Sequence, residues 1–313
     1  MGWVAYREAL MRLPLSLILI AGLFSASAAS AQPEDDAPSP PPPSRGWFDQ
    51  GKLLATGGVS QVEGAGGGGL GAWALISGYG SDHGIGVNAH YTTVLLPDYR
   101  LDTAGAAIGL FDRLELSYAW QGFDTQAVGA ALGLGKGYTF HQNIFGAKLR
   151  LFGEAIYDQD LWLPQVSIGL QHKENDRGAV IAAVGGKGAV GTDYYIAASK
   201  LFLAESVLAN ATVRFTKANQ LGILGFGGNK HDDYAPQVEG SLAYLFSRNF
   251  AAGIEGRTKP SNLAIAKEQD AYDLFAAWFP CKEFSITAAY ADLGNVVIKD
   301  HQRGLYLSVQ AGL

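Results

Sequence analysis

The sequence predicts an all-β fold, a transmembrane antiparallel β-barrel, and three observations carry that reading. Apolar and polar residues alternate with period two over stretches of about ten residues, the length a tilted strand needs to cross the hydrocarbon layer. These stretches are joined by connections that alternate between short and long. Beyond the N-terminal segment no run of about eighteen apolar residues occurs, so hydropathy excludes a helical span.

The first 31 residues read as an export signal. Arg7 and Arg12 precede an apolar run from Leu13 to Phe24, and Ala29, Ser30 and Ala31 supply the small-x-small pattern that signal peptidase needs, which places cleavage before Gln32. Residues 32–46, which open QPEDDAPSPPPPSR, are too acidic and proline-rich to bury the apolar surface that would order them, and read as a disordered periplasmic leader. A polyproline II ligand for an envelope partner is the other reading of that stretch. The barrel domain is then 47–313. The single cysteine, Cys281, excludes an intramolecular disulfide, and no cysteine follows the signal for a lipid to modify. Charged residues make up 17 %, against about a quarter in a large soluble domain, so the surface is poor in charge. A net charge of −6 argues against a nucleic-acid partner, which needs a concentrated basic surface.

Strands are expected near 52–62, 70–80, 84–95, 99–111, 114–124, 142–153, 162–173, 193–204, 206–217, 235–247, 249–259, 269–280, 283–293 and 302–313. That is about 14, an even number, which puts both termini in the periplasm and lets the last strand close on the first. The first of them holds Gly57 and Gly58 and runs into GAGGGGLG; an inward plug is the alternative reading there, and it leaves 12 strands.

The faces are clearest in the C-terminal half. Val238, Gly240, Leu242, Tyr244 and Phe246 oppose Gln237, Glu239 and Ser241; Phe250, Ala252 and Ile254 oppose Glu255 and Arg257; Tyr272, Leu274, Ala276 and Trp278 oppose Asp273. Aromatic residues fall at strand ends on the apolar face, as membrane-interface girdles require. A soluble sandwich alternates too, so the connections decide: those near 112, 205, 249 and 281 are short, and those near 125–140, 175–191, 219–233 and 260–268 are long. Transmembrane barrels divide short periplasmic turns from long extracellular loops in this way. The final strand, LYLSVQAGL, resembles the signal read by the barrel-assembly machinery, although it ends in Leu313 where that signal usually ends in an aromatic residue.

The inward faces carry Glu115, Lys148, Arg150, Arg214, Glu239, Glu255, Arg257 and Asp273, a lumen of mixed sign. A tight turn at SRN sets Glu239 opposite Arg257. The loop sequences QAVGAALGLGKG, AVIAAVGGKGAV and LGILGFGG are apolar; they either fold into the mouth and constrict it or pack on one another. GLGKG lacks the spacing and the Ser or Thr of a phosphate loop. The six histidines show no metal-ligand spacing, so neither metal nor cofactor is expected. His90 and Ser117 fall on polar faces and are the residues a rim hydrolase would draw on.

The segments GKLLATGGVSQVEGAGGGGL, TVRFTKANQLGILGFGG, AWFPCKEFSITAAYADLGN and RGLYLSVQAGL resemble a Gram-negative family of outer-membrane proteins catalogued as domain of unknown function 3034. The resemblance runs over nearly all of 51–313 and implies an outer-membrane barrel, with no catalytic or ligand residues attached. The residues themselves lead to a narrow or plugged channel for small solutes, apolar ones included. The rival expectations are a structural or interaction barrel with a filled lumen and an outer-membrane lipolytic enzyme. The expected partners are outer-membrane lipid and lipopolysaccharide, the barrel-assembly machinery through the last strand, and a small-molecule solute.

Overall fold

The computed structural model describes residues 46–57 and 59–313; the expected signal peptide at 1–31 and the leader up to residue 45 lie outside the described residues. Twelve antiparallel strands form a closed barrel, each paired with its neighbour in sequence: β3 (Ile85–Leu95), β4 (Arg100–Leu110), β5 (Leu114–Asp124), β6 (Thr139–Phe152), β7 (Gln165–Asn175), β8 (Val190–Phe202), β9 (Val207–Thr216), β10 (Ala235–Ser247), β11 (Phe250–Arg257), β12 (Ala271–Cys281), β13 (Phe284–Asp292) and β14 (Arg303–Gly312). β14 pairs with β3, Leu307 opposite Thr93, so no backbone edge is left for lipid to face.

The period-two pattern becomes burial. Along β12 the odd-numbered residues from Ala271 to Phe279 are buried and the even-numbered ones are less so, with Leu274 63 % exposed to the outside. Val238, Leu242, Ile254, Leu305 and Leu307 continue the exposed apolar belt. Such a belt around a closed barrel is stable only in lipid. Aromatic contacts gird both rims: Phe246 with Phe250 at 5.9 Å at one end, Tyr194 with Tyr234 at 6.1 Å at the other.

The connections 111–113, 203–206, 248–249 and 282–283 fall at the end that holds both barrel termini, and 125–138, 176–189, 217–234, 258–270 and 293–302 at the opposite end. Two connections break the division. Residues 153–164 make a long one at the turn end, and 96–99 a short one at the loop end. The long loops hold α1 (Gln126–Ala131) and α2 (Gly178–Ala183).

The strand count of about 14 is corrected to 12. The two segments expected at 52–62 and 70–80 are not in the wall; they lie inside it as a plug, with only a two-residue ladder, β1 (Val59–Ser60) with β2 (Gly66–Gly67). Burial gives the reason. Every residue from Val59 to Gly80 is buried, with no alternation, whereas a lipid-facing strand must expose every second side chain.

Candidate functional site

The plug settles against the wall through its backbone. From Leu70 to Ala74 the chain offers N–H and C=O groups at every second residue, and wall side chains take the place of ladder partners. Leu70 N donates to Glu255 at 2.8 Å and its carbonyl accepts from Arg257 at 3.2 Å. Ala72 N donates to Glu239 at 2.9 Å and its carbonyl accepts from Thr212 at 2.6 Å. Ala74 N donates to Ser199 at 2.8 Å, and its carbonyl accepts from Ser167 and Gln165, each at 2.6 Å. Further along, Glu115 accepts from Gly66 N and Ser77 N, while Lys148 donates to the carbonyls of Gly66 and Leu75. The segment therefore follows the inside of the barrel from β11 round to β5. Glycine is required where the plug backbone folds on itself, since a Cβ on Gly67 would lie 2.1 Å from the Gly71 carbonyl oxygen, and a Cβ on Gly68 would displace the Glu255 carboxylate, 1.5 Å away.

One plug side chain enters the charged belt. Glu63, fully buried, accepts from Arg257 at 2.5 Å and pairs with Lys173. Lys173 also pairs with Asp193 at 2.7 Å, and Arg214 bonds Glu239 at 2.5 Å and Gln171 at 2.6 Å. Arg257 Nε stands 3.3 Å from Glu239, its cross-strand partner in register, so the hairpin argument and the geometry coincide. Mutual neutralisation is what makes so many buried charges tolerable.

Seven of the eight residues expected on the lumen are buried inside the barrel: Glu115, Lys148, Arg214, Glu239, Glu255, Arg257 and Asp273. Arg150 shares their face but sits at the rim, where it binds Asp112, Glu154 at 2.7 Å and the Gly153 carbonyl. Sequence reasoning missed Glu63, Lys173 and Asp193. His90 and Ser117 are not brought together: both ring nitrogens of His90 lack a hydrogen-bond partner. Among the described residues no three His, Cys, Asp or Glu side chains cluster as metal ligands.

The other wall is neutral. Ser285 and Thr287 on β13, Ser308 and Gln310 on β14, Asn88, His90 and Thr92 on β3 and Thr103 on β4 all face inward and are buried. Among the described residues the plug's bonds there are those of Gln310, which accepts from Ser60 N at 2.9 Å, of Asn88, which donates to Ser60 Oγ at 3.0 Å, and of the Leu313 carbonyl, which accepts from Tyr79 N at 3.2 Å. Thr287 Oγ1, Thr103 Oγ1, both nitrogens of His90 and both ends of the plug's Gln61 amide are buried without a partner.

Above and below the belt the lumen is apolar. At the loop end, residues 217–234 fold inward: Asn175 donates to the Ile223 carbonyl at 2.9 Å and Lys173 to that of Leu221 at 3.1 Å. Ile223, Leu224, Leu263, Val296 and Val297 form one buried cluster that reaches the plug's Val62. Burial pushes the Tyr99 hydroxyl beneath them up to about 12. Of the two expectations for the apolar loops, this one folds into the mouth. At the turn end, Trp73 and Leu75 of the plug, with Leu201, Leu245, Phe275 and Phe279, line an apolar chamber. The long turn-end connection 153–164 holds the plug's start, Leu53 N donating to Tyr157 Oη at 3.1 Å.

A model of the family described as Protein of unknown function (DUF3034) matches residues 56–310. No curated protein matches the chain. Solved structures similar to it include the KdgM porin, at 9 % identity over 72 % of this chain and 98 % of that one, TM-score 0.47. Outer membrane phospholipase A from Escherichia coli matches at 10 % identity over 75 % and 94 %, TM-score 0.41. An outer-membrane channel from Pseudomonas putida F1 matches at 12 % identity over 73 % and 94 %, TM-score 0.41.

Proposed function

Because the chain belongs to the DUF3034 family, whose description assigns no activity, we propose a function from the barrel itself: a small-solute channel of the outer membrane, held shut by the plug between Lys52 and Gly80. The observation that carries this reading is the one-sidedness of the plug's bonds. It is fastened to β5–β11 by hydrogen bonds at every second residue from Leu70 to Ala74, whereas among the described residues its bonds to the β13–β4 side are those of Ser60 to Gln310 and Asn88 and of Tyr79 to Leu313. A side with fewer bonds parts at lower cost, since each hydrogen bond contributes about 0.5–1.5 kcal/mol. Opening along the neutral wall supports passage of small uncharged solutes, since a charged one finds no counter-charge on Ser285, Thr287, Thr92 or Thr103 and must first cross an apolar mouth.

The export signal and the leader belong to the same proposal, as does recognition by the barrel-assembly machinery through β14, whose Leu305, Leu307 and Val309 are exposed. Outer-membrane lipid and lipopolysaccharide are the surroundings its apolar belt fits. The mouth cluster also favours a second reading, a filled structural barrel that never opens.

Single-channel recording on the mature chain refolded into a planar bilayer separates the two. The intact protein is expected to be silent or to open briefly, and a variant lacking Lys52 to Gly69 to conduct steadily. Silence in both, with folding established by heat-shifted gel mobility, would sink the channel and leave the filled barrel.

A further inference from the structure

Within the belt, away from the mouth and the rim, the buried charges do not sum to zero. Glu115 is paired with Lys148 at 3.0 Å. The carboxylates of Glu63, Asp193 and Glu239 are held by Lys173, Arg214 and Arg257, three against three. What remains is Glu255 and Asp273, and neither has an ion pair among the described residues. They are direct partners in the β11–β12 register, so the two surplus negative charges lie side by side.

Their surroundings point the same way. Glu255 is anchored by plug and wall, accepting from Leu70 N at 2.8 Å and from Ser241 Oγ at 2.7 Å. Asp273 is 6 % exposed, and neither of its carboxylate oxygens has a side-chain hydrogen-bond partner. Both carboxylates are aimed at one spot beside Gly69, where a Cβ would lie 3.3 Å from Asp273 Oδ2 and 3.5 Å from Glu255 Oε2, with the Tyr306 ring at 3.5 Å. A buried carboxylate with no cation beside it is expensive, and two adjacent ones more so.

We propose that Glu255 and Asp273 bind a hard divalent cation, Mg2+ or Ca2+, at the contact between the plug and β11–β12. The charge fits, and so does the chemistry. Such ions take oxygen ligands only, and one or two carboxylates with water or carbonyl oxygens suffice for them, unlike the nitrogen and sulfur clusters of transition metals. Bound there, the cation removes the repulsion between the two carboxylates and, through Glu255, steadies the plug at Leu70. The site stands whether or not the barrel conducts.

The test reads binding rather than conductance. The mature chain, refolded in detergent and stripped with EDTA, is titrated with MgCl2 and with CaCl2 by calorimetry, and with terbium, whose luminescence Tyr306 would sensitise. One site is expected, with heat stability raised by the ion. Asp273→Asn weakens binding at least about tenfold, since ligand charge tunes affinity in such sites. Asp273→Glu restores part of it, and Asp300→Asn, on an exposed loop, changes nothing. Folding of each variant is read by heat-shifted mobility; if Asp273→Asn does not fold, Glu255→Gln takes its place. Equal uptake by wild type and Asp273→Asn would overturn the assignment. So would no uptake by the wild type up to about 10 mM, beyond the weakest range of calcium modules; stability that falls as pH rises would then mark a shared proton in place of a metal.

Discussion

The two halves of the lumen differ in what they ask of the plug. From β5 to β11 the wall presents carboxylates, cations and hydroxyls, and Glu255, Glu239, Ser199 and Lys148 among them bond plug amides or carbonyls. From β13 to β4 it presents hydroxyls, amides and an imidazole, of which several meet nothing. A plug bonded equally on all sides would be a fixed core. This plug is bonded more heavily on one side, as the proposed opening along the neutral wall requires.

The largest test of that contrast removes the plug's only charge in the belt. Glu63→Ala leaves Arg257 and Lys173 short of a partner in a dry site and should cost about 3–5 kcal/mol in urea unfolding followed by tryptophan fluorescence. A loss below about 1 kcal/mol would mean the belt does not hold the plug.

Next comes the mouth. Burial pushes Glu268 up to about 7, against the opposing pull of Lys259. Its folded pKa exceeds the ordinary 4.5, so its contribution is full below that value and is lost as pH rises through about 7. The loss amounts to at most about 3 kcal/mol. Stability measured from pH 4 to pH 8 should fall over this window, and Glu268→Gln should flatten the profile. A fall unchanged by the substitution would place the titration elsewhere.

Gly68→Ala drives a methyl into Glu255 and should destabilise by about 1–3 kcal/mol while raising open probability in the bilayer. Destabilisation without openings would favour the filled barrel. The smallest effect sets the two walls side by side. Thr212→Val removes a bond to the Ala72 carbonyl and should cost about 1 kcal/mol, whereas Thr103→Val removes a hydroxyl with no protein partner among the described residues and should cost less. Equal costs would erase the distinction between the walls.

The wall was legible because lipid outside and a filled lumen inside force period-two alternation; Tyr272, Leu274 and Trp278 against Asp273 declare their faces without further help. The plug was half legible. Its glycines suggested an inward segment, but Leu70 to Ala74 still read as a strand, since extended backbone bonded to side chains has the same local sequence as extended backbone bonded to a neighbour. Lys173 was hidden for a different reason. His172 and Glu174 flank it near the loop end, where outward residues meet water and headgroups, so polarity no longer marks the inward face. Arg150 failed in reverse: it has the right parity but lies beyond the belt, and sequence carries no measure of height along the barrel axis.

The plug's position in the chain fixes an order of events. Its residues come before every wall strand, yet their bonds reach 167 positions ahead at Glu239 and 250 at Gln310, and Tyr79 N donates to the carbonyl of the terminal Leu313. The plug's contacts are therefore non-local, and they are complete only once the last strands have been made. Seating the plug belongs among the slow, non-local steps of folding.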